Sequence, residues 1–335
     1  MRPNHFNILM RGKKLSQYYW IDMWAKVERM RMHFVANNQT QLKAESYQGL
    51  IDAASNDDLH QAGKVVILPS SIMGSPRWYV EQTQDALAIV RAMGKPTAFL
   101  TLTANPKWPE ITSSLEPGES PFDRPDIVAR VFRAKLRGMM DRLTKGKLLG
   151  EVTYFVYTIE WQKRKGLPHA HCLFKLKEEP RTAAEVDKLI CAEIPGEDEP
   201  ELRKAVESYM CHGPCGKLNP KCPCMKQVLH HFSRHTLLLP SKVGDSKREE
   251  CGKGAPWAYA SETFVDDNSF PVYRRRSPEE GGHSFVNDRG LVVTNQWIVT
   301  YNRDILQLWD GHANLKIVTS VISVKYIFKY EFKGE

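Results

Sequence analysis

Pro168-His169-Ala170-His171-Cys172-Leu173-Phe174 is the stretch that decides how this chain is read. Two histidines flank one small residue in a segment that otherwise alternates as a β-strand does. Successive strand side chains point to opposite faces, so residues i and i+2 share one face. Both imidazoles can then reach one metal ion without a loop folding around it. In the plainer role they are hydrogen-bonded residues of a half-buried strand. Just upstream, Tyr154-Phe155-Val156-Tyr157-Thr158-Ile159-Glu160-Trp161-Gln162 reads as a second strand, with Lys163-Arg164-Lys165-Gly166 as the turn between them. Glu160 and Gln162 share one parity, so either brings an oxygen donor to the histidines, depending on the hairpin register. Two histidines and one oxygen donor leave coordination positions open, which suits catalysis rather than a structural metal.

Outward from this hairpin the pattern mixes helices and strands. Ala98–Thr103 alternates as a strand and is stopped by Asn105-Pro106-Lys107-Trp108-Pro109, because proline cannot donate to a ladder. Pro125–Lys145 is an amphipathic helix, Trp78–Met93 a helix ended by Gly94 and Pro96, and Leu15–Ala54 is helical, with Trp20, Met23, Trp24, Val27, Met30 and Phe34 at three- and four-residue spacing. A helix is expected around Ala183–Ile194 inside the acidic stretch Glu178–Glu199, and Gly244–Asn268 reads as polar and irregular. Gly290–Glu335 returns to apolar periodicity. Within it, Val324–Phe332 fits a strand at period two, with Tyr326, Phe328, Tyr330 and Phe332 on one side. At period 3.6 it fits a helix on which Tyr326 and Tyr330 stack one turn apart.

The 335 residues suffice for two or three modest domains and a sizeable core. Against 39 Asp and Glu stand 47 Lys and Arg, and the net charge of +8 favours a polyanionic partner. No run approaches the ~18 apolar residues of a membrane span, and no secretory leader is evident. A soluble, intracellular protein is expected. A phosphate-binding Gly-x4-Gly-Lys-Ser/Thr loop is absent.

Of the 7 cysteines, Cys211, Cys215, Cys222 and Cys224 crowd together in a Gly- and Pro-rich stretch, with His212 inside it and His230-His231 close behind. Short loops of this kind let thiolates converge on zinc, and the crowding suggests metal ligation in a reducing compartment rather than disulfides. The candidates outnumber the four positions zinc needs. Basic residues gather at Lys163-Arg164-Lys165, at Arg274-Arg275-Arg276 and at Lys325/Lys329. Mixed with aromatic residues, such runs suit single-stranded nucleic acid, although a charge run is often only a solvated face.

Taken together, many ordered segments resemble the replication-initiator nuclease region of Helitron transposases, which belong to the HUH endonucleases of rolling-circle replication. They include Ile67-Leu68-Pro69-Ser70-Ser71, Thr101-Leu102-Thr103-Ala104-Asn105-Pro106-Lys107-Trp108-Pro109-Glu110, Glu160-Trp161-Gln162-Lys163 and Gly166-Leu167-Pro168-His169-Ala170-His171. Further on come His212-Gly213-Pro214-Cys215-Gly216, Pro223-Cys224-Met225, Tyr273-Arg274-Arg275-Arg276, Tyr301-Asn302-Arg303 and Lys325-Tyr326-Ile327-Phe328-Lys329-Tyr330.

The resemblance implies an α+β fold, an antiparallel central sheet flanked by helices. It implies a mostly helical, DNA-binding N-terminal region (1–95), a nuclease domain built from 96–176 and 290–335, and an inserted zinc-binding, basic subdomain (177–289). It places Tyr326 and Tyr330 on a helix, against the period-two reading, as the nucleophiles that form 5′-phosphotyrosine links to single-stranded DNA of transposon ends and target. Mg2+ or Mn2+ is implied at His169, His171 and Glu160 or Gln162. Structural Zn2+ is implied at His212, Cys215, Cys224 and His230, where relatives usually carry cysteine at the last position. Lys163, Arg164, Lys165, Arg274, Arg275, Arg276 and Lys329 are the expected DNA contacts. A helicase continuation of the full-length protein and a nuclear location follow from the same resemblance. The competing reading is a zinc-stabilised DNA-binding module that has lost catalysis.

Overall fold

A computed structural model describes residues 12–39, 66–162, 166–229, 247–265 and 271–318. Its first elements are helices α1 (Lys14–Asn37) and α2 (Pro76–Met93). The start of α2 is encoded locally: Pro76 occupies the first turn, where its missing N–H costs nothing, and the Ser75 hydroxyl accepts from the Trp78 amide at 3.1 Å. Strand β1 (Ala98–Thr103), the short α3 (Pro109–Thr112) and α4 (Pro125–Thr144) follow, then the hairpin of β2 (Val152–Trp161) and β3 (Pro168–Leu176). Beyond it lie α5 (Ala183–Leu189), α6 (Pro200–Ala205), β4 (Met225–Leu229) and β5 (Lys247–Cys251). Two small antiparallel pairs come next, β6 (Phe264–Val265) with β7 (Pro271–Val272) and β8 (Ser284–Val286) with β9 (Val292–Thr294). The described chain ends with α7 (Arg303–Trp309) and β10 (Ala313–Ile317).

The central sheet is antiparallel, in the order β10-β1-β3-β2, so the fold is α+β. One face of it is core. Leu100 and Leu102 of β1, Ala170, Cys172 and Phe174 of β3 and Ala313 and Leu315 of β10 are buried there. The inward stripe of α4 joins the same core through Val128, Phe132, Leu136, Met139 and Leu143, the spacing of one amphipathic face. Full burial of a side chain such as Phe132 contributes about 1.5–3 kcal/mol. Two tryptophans close one end of this layer. Trp108 and Trp309 meet edge to face at 5.1 Å, Trp108 Nε1 donates to the Asp310 carbonyl, and Trp309 Nε1 donates to the Thr103 carbonyl.

Among the described residues, the opposite face of the sheet is only partly covered. Helix α2 meets it through Ala86, which packs with Leu173 and Val318. Further along this face lie Thr101, Thr103, His169 and His171. Helix α5 is shorter than the sequence reading expects. It stops at Leu189 because Cys191 exchanges two backbone hydrogen bonds with Tyr301, an extended bridge that helical backbone cannot form. The stretch expected to be irregular, Gly244–Asn268, contains β5 and β6. Tyr326 and Tyr330 lie outside the described residues, so the choice between strand and helix there rests on the resemblance. Among the described residues, no helix is long and apolar enough to cross a membrane.

Candidate functional site

The β2–β3 register puts Glu160 opposite His169 and Thr158 opposite His171, and β1 adds Thr103 and Thr101 on the other side of the same histidines. Antiparallel partners share a face, so this register alone collects an oxygen donor and two imidazoles. The hairpin is closed by the Gln162 amide donating to the Leu167 carbonyl and by Gly166, whose φ of +61° is the left-handed region that glycine enters without strain. His169 Nε2 lies 3.0 Å from His171 Nε2, and Glu160 Oε2 lies 3.4 and 3.5 Å from these two nitrogens. Donors bound ~2.1 Å from one ion at angles between 90° and 109° stand ~3.0–3.4 Å apart, so the three atoms fit one face of a coordination shell. Gln162 follows the last ladder pair, Trp161 with Pro168, and so stands past the end of the strand.

The second ring nitrogen of His171 is also engaged. Thr101 Oγ1 lies 3.0 Å from His171 Nδ1, and the Phe99 ring stacks on the imidazole at 5.5 Å. A partner on Nδ1 fixes the ring and leaves Nε2 for a metal. Burial, then the neighbouring His169 and the Lys253 ammonium, push the His171 pKa down from 6.5 to about 4. The ring is therefore neutral at physiological pH, the form that binds metal. Sequence reasoning missed Thr101 and Phe99. Their shared parity in β1 was visible, but the pairing of β1 with β3 was not.

A second cluster lies between β3 and β6 in the chain. His212, Cys215, Cys224 and Cys251 bring one donor atom each to within 4.8 Å of one another, and such a set could hold a metal such as zinc. The loop after Cys211 is anchored where the His212 amide donates to the Trp297 carbonyl. Cys215 is followed by Gly216, with φ of +68°, which turns the chain back. Pairing of β4 with β5 puts Met225 opposite Cys251, and the Gly252 amide donates to the Cys224 carbonyl at 2.7 Å. Those contacts draw Cys251 to Cys224. His212 Nε2 is 3.4 Å from Cys251 Sγ and 3.8 Å from Cys215 Sγ. Zinc with bonds of ~2.3 Å to sulfur and ~2.05 Å to nitrogen sets tetrahedral donors ~3.5–3.8 Å apart, so the cluster fits. Burial, and then the crowded neighbouring thiols, raise the Cys224 pKa. For Cys251 burial is outweighed by the Lys253 and Ala255 amides directed at its sulfur, and its pKa falls.

Three of the four ligands expected from sequence, His212, Cys215 and Cys224, come together in this cluster. Cys251 completes the described cluster, while His230 lies outside the described residues. Cys251 was overlooked because it stands 27 residues beyond Cys224 in a stretch read as irregular. Cys222 Sγ approaches Cys224 Sγ at 3.3 Å but is not one of the four.

Of the basic residues, Lys163, Arg164, Lys165 and Lys329 lie outside the described residues. Arg275 is buried and donates through Nη1 to the carbonyls of Ala192, Asn295 and Ile298, with its guanidinium over Trp257 at 4.7 Å. Arg276 binds Glu193 with its amide, Nε and Nη2 at 2.7–2.8 Å. Arg274 lies 3.5 Å from both Asp187 and Glu193 carboxylates. Arg275, expected from sequence to contact DNA, is instead a buried residue whose Nη1 is directed at three backbone carbonyls.

None of the curated proteins compared matches the chain. A family model described as the Helitron helicase-like domain at the N-terminus matches residues 1–174, a span that ends just past the two histidines and includes Glu160. That match covers more than half of the 335 residues. The chain belongs to this Helitron family.

Proposed function

We propose that this chain is an HUH-type strand transferase that cuts and rejoins single-stranded DNA in transposition. The observation that carries the reading is the facial set of Glu160, His169 and His171, with donor atoms 3.0–3.5 Å apart on one sheet face. Membership in the Helitron family supports a transposon-related role. When bound there, Mg2+ or Mn2+ supplies Lewis-acid polarisation of the scissile phosphate. The histidines serve as neutral ligands, and Glu160 brings a negative charge that a hard divalent cation prefers over the neutral amide of Gln162.

The proposed nucleophile is Tyr326 or Tyr330, both outside the described residues. Its phenol releases its proton, the oxygen bonds to phosphorus, and the bond from phosphorus to the 3′ oxygen breaks. The 3′ oxygen takes up a proton and leaves as a free hydroxyl. Because the phosphodiester energy is kept in the phosphotyrosine, rejoining needs no ATP. Two tyrosines allow two strands to be held at once. The cysteine cluster acts as a structural zinc knot.

The test uses a single-stranded oligonucleotide carrying the element's end, incubated with the protein and Mn2+. A protein–DNA adduct that survives boiling in detergent is expected, and Tyr326→Phe combined with Tyr330→Phe removes it. Adduct of undiminished yield from the double variant would overturn the nucleophile assignment. Salt-sensitive DNA binding by the wild type with no adduct in any divalent metal would favour the non-catalytic module.

A further inference from the structure

Among the described residues, strand β2 lies at one edge of the sheet, and its two faces are unlike. Even-numbered residues turn toward the Glu160 face. Odd-numbered residues turn toward the face that is core beneath β1 and β3, but at the edge the cover runs out. There Phe155, Tyr157, Ile159 and Trp161 are 43, 45, 38 and 50 % exposed. Their ladder partners Phe174, Cys172, Ala170 and Pro168 are all buried, so the exposed row is a shelf beside a closed core. Four large apolar side chains in a row on the surface of a basic chain mark an interaction site rather than scattered exposure.

We infer that Phe155, Tyr157 and Trp161 form a stacking platform for single-stranded DNA on the sheet face opposite Glu160, and this rests on the DNA-processing role proposed above. Alternate residues of a strand repeat every ~6.6–6.8 Å, about twice the ~3.4 Å rise per nucleotide of one strand in a duplex. That is the stride of an extended, unstacked single strand. The Phe155 and Tyr157 rings are parallel to within 18°, with centroids 6.3 Å apart, so both offer similarly oriented faces to successive bases. Three of the four side chains are aromatic, and aromatic faces accept any base. The sequence after Trp161 runs Gln162-Lys163-Arg164-Lys165, and the chain carries a net charge of +8, so charge complementarity favours a polyanion over an apolar protein partner. Glu160 immediately precedes Trp161, with its side chain on the other face. A strand passing round this edge would run from the platform to the metal-binding donors.

The measurement is fluorescence anisotropy of a labelled 20-nucleotide oligothymidylate titrated with the full chain in buffer without added Mg2+ or Mn2+, where cleavage plays no part. Tyr157→Leu and Trp161→Leu keep apolar bulk but remove the ring. Each is expected to weaken binding about tenfold, with the double variant weaker still. Trp161→Phe should keep most of the affinity. Circular dichroism and the melting midpoint identify any variant that fails to fold, and the Phe variant then carries the comparison against wild type and Phe155→Tyr. Wild-type affinity in a folded double Leu variant overturns the platform. So does a double variant that binds the oligonucleotide normally but loses self-association in sedimentation, which assigns the face to a second copy. Ring-dependent binding by a protein that never forms a covalent adduct supports the platform while defeating the nuclease reading.

Discussion

Glu160 stands opposite His169 in the β2–β3 ladder, and its Oε2 lies 3.4 Å from the His169 Nε2 and 3.5 Å from the His171 Nε2. One cross-strand pair thus delivers an anionic oxygen to two imidazoles. Glu160→Gln keeps the shape and removes the charge. Binding of Mn2+, followed by calorimetry, is expected to weaken by more than tenfold, while Gln162→Ala leaves it near the wild-type value. The reverse order would move the oxygen ligand to Gln162.

Thr101 acts on the same site at one remove, through His171 Nδ1. Thr101→Val is nearly isosteric and lets the imidazole turn. Loss of an outer-shell partner costs roughly 10–100-fold in metal affinity, so a loss of about tenfold without a change in melting temperature is expected. An unaltered Mn2+ affinity would show that Phe99 stacking alone holds the ring.

Cys251→Ser should abolish zinc binding and lower the melting midpoint, because a metal held by this cluster would tie β5 to the loop of Cys215 and Cys224. His230→Ala should keep one zinc per chain. Elemental analysis of the two purified variants separates these ligand sets. Full zinc content in Cys251→Ser would restore His230 to the site.

Glu193 and the basic run give a pH prediction. Burial works against the Glu193 carboxylate, but the Arg276 hydrogen bonds prevail and hold its pKa below the ordinary 4.5. At pH values under 4.5 the unfolded chain therefore binds more protons than the folded one, and stability falls as pH drops toward the folded pKa. Glu193→Ala is expected to cost about 1–3 kcal/mol at pH 7, with the difference from wild type shrinking below pH ~4. Urea unfolding at pH 7 and pH 3.5 measures it. A gap that stays constant between the two would remove the ion pair as the cause.

Arg275→Met leaves the carbonyls of Ala192, Asn295 and Ile298 without their shared donor. A loss of about 3 kcal/mol is expected. Arg274, whose side chain is 41 % exposed, should cost only about 0–1 kcal/mol on conversion to alanine. Comparable losses at both positions would argue against the internal role of Arg275.

The hairpin and its histidines were legible because strand parity is a local property, and Ala98–Thr103 could be read for the same reason. The register was not, and it is what puts Glu160 rather than Gln162 opposite His169: sliding β2 by two residues would exchange them. Cys251 was hidden by distance in sequence, since only the β4–β5 pairing returns it to Cys224. Arg275 misled because a basic triplet looks solvated until Trp257 and three carbonyls close over it. In each case the missing information was long-range pairing, which composition and periodicity do not carry. Tyr326 and Tyr330 owe their assigned role to the family resemblance.

In the proposed mechanism, strand transfer depends on a metal held by Glu160, His169 and His171. The direct measurement is the yield of detergent-resistant protein–DNA adduct as Mn2+ is titrated into wild type and into His169→Ala combined with His171→Ala. Metal-dependent adduct is expected for the wild type and none for the double variant, although the variant still binds the oligonucleotide. Adduct from the double variant at wild-type yield, or wild-type adduct that persists in excess chelator, would contradict the proposed mechanism.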